Sequence, residues 1–432
     1  MTNAAPDPYA VDTLGQARVP TPLRNRGHRA RFVAPGTRVR LDVLVGDGHG
    51  DGDAPVVGLE KAGPREQLYF DPAQTTAAIV TCGGLAPGLN NVIRSVFMEL
   101  TYNYGVPRLL GIRDGYRGLD PQVGRPPIEL DKRSVKAIQD RGGTLLGTSR
   151  GPQDPVHMVD FLEAQEIDVL FCVGGDGTQR GAHRLTQEIT RRGLSKAVVG
   201  IPKTIDNDIP YVWLSFGYMT ALSEAEGVLR AAHVEARCAP HGVGLVKLMG
   251  RDAGFIAAGA AVASQEANFV LVPEVPFPLD GFLDALLQRV ADHGHALVVV
   301  AEGAGQHLFG EGGRGLDASG NALHEDIGRF LDQAIRRRFQ EAGVELNLKY
   351  FDPSYLIRSV PANGWDRVLS DRMARNAVHA AMAGCTDVLI GSHQGMLVHV
   401  PIDVATAERK HMDPEGDLWS AVQSATGQPC WP

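Results

Sequence analysis

The chain has 432 residues, of which 44% are hydrophobic and 21% charged. That is too apolar for a disordered chain and too long for one ordinary domain, so two domains are expected. With 42 basic against 50 acidic residues and a net charge of −8, no overall positive field draws in nucleic acid or an anionic membrane; a polyanion must be bound by local geometry.

Cys82, Cys172, Cys238, Cys385 and Cys430 are odd in number, scattered, and form no CxxC pair. This argues against a disulfide framework or a structural zinc site and for a reducing cytoplasm. The most apolar stretch, near residues 254–272, is broken by Gln265 and Glu266 and falls short of the roughly 20 residues that span a bilayer. The N-terminus has no apolar signal core. A soluble cytoplasmic protein without nucleic-acid or membrane partners is expected. The 51 glycines are well above a typical share of roughly 7%, and most follow apolar runs, where an α/β protein turns from strand into helix.

Residues 1 to about 70 differ from the rest. Arg18, Arg24, Arg26, Arg29, Arg31, Arg38 and Arg40 are followed by GDGHGDGD, which holds no lysine or arginine. The pattern reads as a solvated extension draped over a core rather than a binding arm. From residue 77 short apolar runs alternate with helical periods. Strands are expected at 77–81, 108–112, 169–173, 197–201, 243–248, 269–272, 296–300 and 388–391. Leu89, Val92, Ile93, Val96, Phe97 and Leu100 follow helical spacing, as do Leu222, Ala225, Leu229 and Ala232. Such alternation gives a parallel sheet covered on both faces.

Three strand ends carry chemistry. TCGGLAPGLNN at 81–91 ends a strand in Gly83-Gly84 and opens a helix near Gly88, where backbone N–H groups and the positive helix end suit a phosphate; a purely structural turn fits equally. FCVGGDGTQRGA at 171–182 runs a buried strand into Gly174–Thr178. Its glycines admit a polyphosphate to the backbone, and Asp176 is a hard oxygen ligand of the kind that holds Mg²⁺; the alternative is a turn whose Asp caps the helix. GIPKTIDNDIP at 200–210 supplies Lys203, Thr204, Asp206 and Asp208, with the two carboxylates expected on one side of an extended segment. Alone it could be a helix-capping loop. Open parallel sheets bind ligands at their carboxyl edge, which is where all three lie. KLMGRDAGF at 247–255 adds Arg251, Glu302 follows another strand, and KYFDPSYLIRSVPAN at 349–363 adds Lys349, Tyr355 and Arg358, a set able to grip an anion.

Taken in order, GGLAPGLN, GGTLLGTSRG, GGDGT, PKTIDND, KLMGR, PEVPF, AEGAGQ and DPSYLIR resemble the 6-phosphofructokinase family. The similarity is closest to the branch with PKTIDND and Tyr-x-x-Arg that includes plant and trypanosomatid ATP enzymes, and it runs from about residue 63 to 384. The resemblance implies an α/β fold of two similar three-layer parallel-sheet domains with the active site in the cleft. Expected are an extension (1–70), a nucleotide-binding domain (71–217 plus 359–410), a sugar-phosphate domain (218–358) and a tail (411–432). It also implies ATP and Mg²⁺ as cofactors. Gly84, Arg150, Gly151, Gly175, Asp176, Gly177, Thr178 and Lys203 would hold the nucleotide, with Asp176 on the metal. Asp206 would take the proton from the sugar 1-hydroxyl, and Thr204 and Asp208 would support the transferring group and its metal. Arg251 would stabilise developing charge. Ile205, Met249, Gly250 and Glu302 would hold the sugar, and Lys349, Tyr355 and Arg358 its 6-phosphate. A homodimer or homotetramer is implied, with one phosphate-binding residue crossing a subunit interface.

The run ANGWDR at 362–367 departs from the branch's usual text, close to SNASDN. For the donor, Lys203 is similar to the lysine of pyrophosphate-using relatives, whereas Gly177 is similar to the ATP-using form, since pyrophosphate enzymes typically read GGDD. A carboxylate at 177 would repel the nucleotide α-phosphate, so ATP is expected. Phosphorylation of fructose 6-phosphate leads. Alternatives are another sugar phosphate such as sedoheptulose 7-phosphate, pyrophosphate as donor, or a non-catalytic regulatory homologue.

Overall fold

In a computed structural model that describes residues 7–26, 32–43, 57–310, 315 and 323–431, the apolar runs become strands and the glycine clusters their exits. Arg29, Arg31 and the GDGHGDGD run lie outside the described residues. The extension contributes short strands: Asp12–Thr13 (β1), Val19–Pro20 (β2), Arg38–Arg40 (β3), Gly58–Lys61 (β4) and Gln67–Leu68 (β5). There follow Thr76–Thr81 (β6), Leu89–Met98 (α1), Arg108–Ile112 (β7), Ile128–Glu129 (β8), Pro155–Ala164 (α2), Val169–Gly174 (β9), Asp176–Arg191 (α3) and Ala197–Pro202 (β10). Next come Tyr218–Arg237 (α4), Gly242–Leu248 (β11), Phe255–Ser264 (α5), Phe269–Leu271 (β12), Leu279–His293 (α6), His295–Ala301 (β13), Ile327–Glu341 (α7) and Asn347–Phe351 (β14). The chain closes with Gly364–Met382 (α8), Cys385–Thr386 (β15), Val388–His393 (β16), Met396–Pro401 (β17), Ile402–Thr406 (α9) and Asp417–Thr426 (α10).

Two units divide these elements. The first is Met1–Thr204, Ile209–Phe216 and Pro361–Glu408; the second is Ile205–Asp208, Gly217–Val360 and Arg409–Pro432. Against the expected boundaries, residues 205–208 and the tail belong with the second unit.

Among the described residues the first unit holds a nine-stranded sheet in the order β3-β4-β17-β16-β10-β9-β6-β7-β8. Its centre, β7 to β16, is parallel, and the strands outside it run antiparallel. Every residue of β9 and β10 is buried, as strands covered on both faces must be. Helix α1 packs on α8, and α2 on α3. Asp154 caps α2 through Val156 N, with Pro155 in the first turn, where the missing N–H costs nothing. The extension is built in more deeply than a draped, solvated segment. Leu23, Val39, Leu59 and Leu68 are buried in this unit's core, because β3 and β4 extend the sheet edge beyond β17.

The second unit has a smaller, wholly parallel sheet, β12-β13-β11-β14. Helices α4 and α5 pack together, as do α6 and α7, giving a second three-layer arrangement. Among the described residues no helix is long and apolar enough to cross a membrane. The departing run ANGWDR forms the start of α8: the Asn363 side chain accepts from Asp366 N.

Candidate active site

In the first unit, β10, β9 and β6 are neighbours, so their carboxyl ends bring three glycine-rich or polar turns together. Lys203, buried beyond β10, donates from Nζ to Gly84 O at 2.6 Å, and its backbone N–H donates to Gly174 O at 3.0 Å. Gly83 N–H donates to Ser149 O at 3.0 Å, and Thr148 Oγ1 donates to Gly83 O at 2.6 Å. Gly84, the Ser149-Arg150-Gly151 loop, the 175–178 turn and Lys203 are therefore gathered at one edge; the Arg150 side chain is exposed there. Gly175 is the N-cap of α3, and Asp176 its first residue. Gln179 Nε2 donates to Gly174 O at 2.9 Å and Tyr116 Oη to Thr178 O at 2.7 Å, which pins the turn.

Gly177 is informative by what does not surround it. A Cβ built there meets nothing within 4 Å, and its φ is not positive. Neither packing nor backbone conformation requires glycine, which in a helix costs roughly 0.5–1 kcal/mol relative to alanine. The absent side chain keeps room in front of the helix end, where a phosphate is favoured. Asp176 pairs with Arg180 one turn on, at 3.1 Å, and presents a carboxylate of the hard-oxygen kind that suits Mg²⁺.

Past Thr204, whose carbonyl accepts from Ser215 Oγ at 2.5 Å, the chain enters the second unit for residues 205–208. The expected extended geometry does not hold. The backbone bends at Ile205 and Asp206, and Asn207 has a left-handed φ of 56°, a conformation asparagine tolerates better than most residues. Ile205 and Asn207 are buried while Asp206 and Asp208 are half-buried. The two aspartates are thus less buried than Ile205 and Asn207 beside them.

At the carboxyl edge of the second sheet, the loop after β11 is stitched to the loop after β13. Glu302 N–H donates to Leu248 O at 2.9 Å and Gly303 N–H to Gly250 O at 3.1 Å. Gly250 has φ +128°, and a Cβ on Gly303 would lie 1.7 Å from Arg251 O; only glycine permits either. This close approach sets Glu302 beside Met249, Gly250 and Arg251. Burial raises the Glu302 pKa above the usual carboxylate range, while Arg251, Lys247 and Arg358 pull it down. Burial works against the Lys247 ammonium too, but Asp352 at 2.9 Å and Asp326 at 3.1 Å outweigh it and raise its pKa. The Arg358 guanidinium lies over the Tyr355 ring at 4.8 Å, in reach of the same charges as Glu302. Lys349 is exposed on the edge strand β14. Met249, Gly250, Arg251 and Glu302 are thus brought together, with Arg358 near enough to act on the Glu302 charge.

Sequence reasoning passed over Lys247 and Asp252, although both lie in the KLMGRDAGF run, and Arg409 and Lys410 altogether. Arg409 pairs with Asp252, and also with Asp208 at 3.9 Å; Lys410 N–H donates to Asp208 O at 3.0 Å. Burial brings the Lys410 pKa down to about 8 against the pull of Asp208, and its ammonium lies 5.1 Å from the Phe255 ring centre. No local motif marks a residue whose partner lies 157 positions away.

Glycine turns beside a lysine at the strand ends of one unit, and carboxylates among arginines at those of the other, define an α/β phosphotransferase. The sequence pattern of the phosphofructokinase family matches residues 76–381, and the chain belongs to that family. It is 44% identical to the ATP-dependent 6-phosphofructokinase of Borreliella burgdorferi over 98% of this chain and 97% of that one. It is 45% identical to ATP-dependent 6-phosphofructokinase 7 of Arabidopsis thaliana, covering 98% and 88% respectively. Among solved structures, the pyrophosphate-dependent phosphofructokinase of Marinobacter aquaeolei superimposes with a TM-score of 0.67 at 21% identity, covering 83% and 93%; that likeness concerns the fold.

Proposed function

We propose that this chain transfers the γ-phosphoryl group of ATP to the 1-hydroxyl of fructose 6-phosphate, giving fructose 1,6-bisphosphate and ADP. The near-full-length likeness to proteins named as ATP-dependent 6-phosphofructokinases carries this reading. Asp206 accepts the hydroxyl proton as the sugar oxygen attacks the γ-phosphorus and the bond to the β,γ-bridging oxygen breaks. Phosphoryl transfer asks the protein chiefly for positioning and charge neutralisation. Thr204, Asp208 and Arg251 serve the transferring group, and Ile205, Met249, Gly250 and Glu302 hold the sugar. Lys349, Tyr355 and Arg358 take the 6-phosphate. Gly84, Arg150, Gly151, Gly175, Gly177, Thr178 and Lys203 receive the nucleotide. Asp176 is the carboxylate that would hold Mg²⁺, which when bound supplies positive charge to the phosphate oxygens.

The open space in front of Gly177 supports ATP as donor. The bond from Lys203 Nζ to Gly84 O supports reading that lysine as a tie between two turns, compatible with either donor. A purified-protein panel of ATP and pyrophosphate against several sugar phosphates, at matched Mg²⁺, tests the reading. ATP with fructose 6-phosphate is expected to be fastest, and faster turnover of pyrophosphate overturns the donor assignment. Self-association into a homodimer or homotetramer is part of the proposal. Its support is Trp365 and Val368, three apart on α8 and 58% and 60% exposed.

A further inference from the structure

We infer that Arg409 is a positioning residue for phosphoryl transfer, tying the residue two beyond Asp206 to the residue next to Arg251. The inference rests on the proposed roles of Asp206 as base and Arg251 as charge stabiliser. Its foundation is a strap of four consecutive residues in the second unit. The Arg409 guanidinium bonds the Asp252 carboxylate and lies 3.9 Å from that of Asp208. Lys410 N–H donates to Asp208 O at 3.0 Å. His411 Nδ1 lies 2.9 Å from Asp252 O. Met412 N–H donates to Glu274 Oε1 at 2.9 Å, and the same carboxylate accepts from Gly254 N at 2.9 and 3.0 Å. One short run of chain thus touches the loop of the proposed base, the loop of the proposed arginine, and the glutamate that fixes the start of α5.

The charges explain why an arginine stands there. Asp208 and Asp252 both lie at the Arg409 guanidinium, where two carboxylates with no cation between them would repel each other. A single guanidinium bridging both neutralises them and, with its planar fork, fixes them in direction. The backbone is bent at Asn207, beside Asp206 in the chain, so what grips residue 208 bears directly on where Asp206 stands. Misplacement of a reacting group by about 1 Å costs on the order of 100-fold in rate.

Arg409→Gln and Arg409→Lys separate charge from packing, because both keep the aliphatic stem. Arg409→Gln is expected to lower kcat by about 10- to 100-fold while KM for ATP stays within about twofold. Arg409→Lys should give an intermediate kcat, clearly above that of Arg409→Gln, because it keeps the cation but loses the planar fork. The inference is overturned if Arg409→Gln keeps a near-native kcat, if Arg409→Lys is as impaired as Arg409→Gln, or if the loss falls on KM for ATP instead. Should Arg409→Gln fail to fold, Asp252→Asn breaks the same pair from the other side, and a native kcat there is equally fatal. Asp206→Asn, run in the same assay, separates this from the reading it rests on. Its kcat should fall by roughly 10²–10⁴-fold with little change in sugar affinity; near-native turnover there overturns the assignment of the base itself.

Discussion

Glu302 shows how a single residue takes its properties from three loops. Burial favours its protonated form, and Arg251, Lys247 and Arg358 oppose that. Arg358→Ala removes one of the opposing charges and, in the proposed site, the main grip on the 6-phosphate. KM for the sugar phosphate should rise by an amount worth on the order of 2–5 kcal/mol, while KM for ATP stays nearly unchanged; steady-state kinetics with each substrate varied decides it. A weakening confined to ATP would mean that the pocket is assigned to the wrong ligand. On the nucleotide side, Gly177→Asp should leave thermal stability close to native, since a Cβ there meets no neighbour. It should suppress ATP use strongly by placing an anion beside the α-phosphate. Loss of activity accompanied by a collapse in melting temperature would instead make that glycine structural. These residue types were readable because glycine and aspartate after an apolar run are local signals. The Asp252–Arg409 pair was not, because neither residue carries any sequence-local mark of the other.

Helix α8 shows what an element adds. His379 on α8 is buried, and its Nδ1 lies 2.8 Å from the Tyr104 hydroxyl. Burial, assisted by Arg375, His399 and Arg65, pushes its pKa down to about 3, against an ordinary value of about 6.5. Between those two values the unfolded chain binds a proton that the folded one refuses. Stability from this group is complete above about pH 6.5 and is lost as pH falls toward 3. His379→Gln should flatten that dependence, so that its melting temperature falls less than the native one between pH 6.5 and 4. Parallel curves would exclude the assignment. Among strands, those of the parallel core were legible because β6, β7, β9, β10, β11 and β13 are dominated by apolar residues. The strand β17 was missed, although a signal existed. Gln394 and Gly395, with φ of 48° and 74°, join β16 to β17, where His393 pairs with Met396; a two-residue turn of this kind between apolar runs marks a hairpin. Strands β3 and β4 had no such signal. Arg38–Arg40 and Gly58–Lys61 are short and charged, and become strands only because β17 offers an edge to pair with.

At the scale of the whole molecule, the proposed self-association has a direct test. Light scattering of the purified chain should give a dimer or tetramer, and Trp365→Glu with Val368→Lys should shift it toward monomer if α8 lies at the contact. A native protein that is monomeric at micromolar concentration overturns the proposal. Length and strand–helix alternation lead to an expectation of two domains, and the compact units group some residues differently. The second unit is made of Ile205–Asp208, Gly217–Val360 and Arg409–Pro432, and no composition shift announces that four residues from one stretch and the end of the chain from another belong together.

That discontinuity sets an order of events during synthesis. Domains assemble as the chain emerges, earliest residues first, yet Asp208 meets Arg409 and Lys410 only after about two hundred further residues have been made. The glycine turns of the first unit precede them by some two hundred residues. A chain ended before residue 409 would carry the nucleotide-receiving turns while lacking a contact that secures the proposed base, and would spend ATP slowly. On the proposed roles, full speed waits for the strap at residues 409–412.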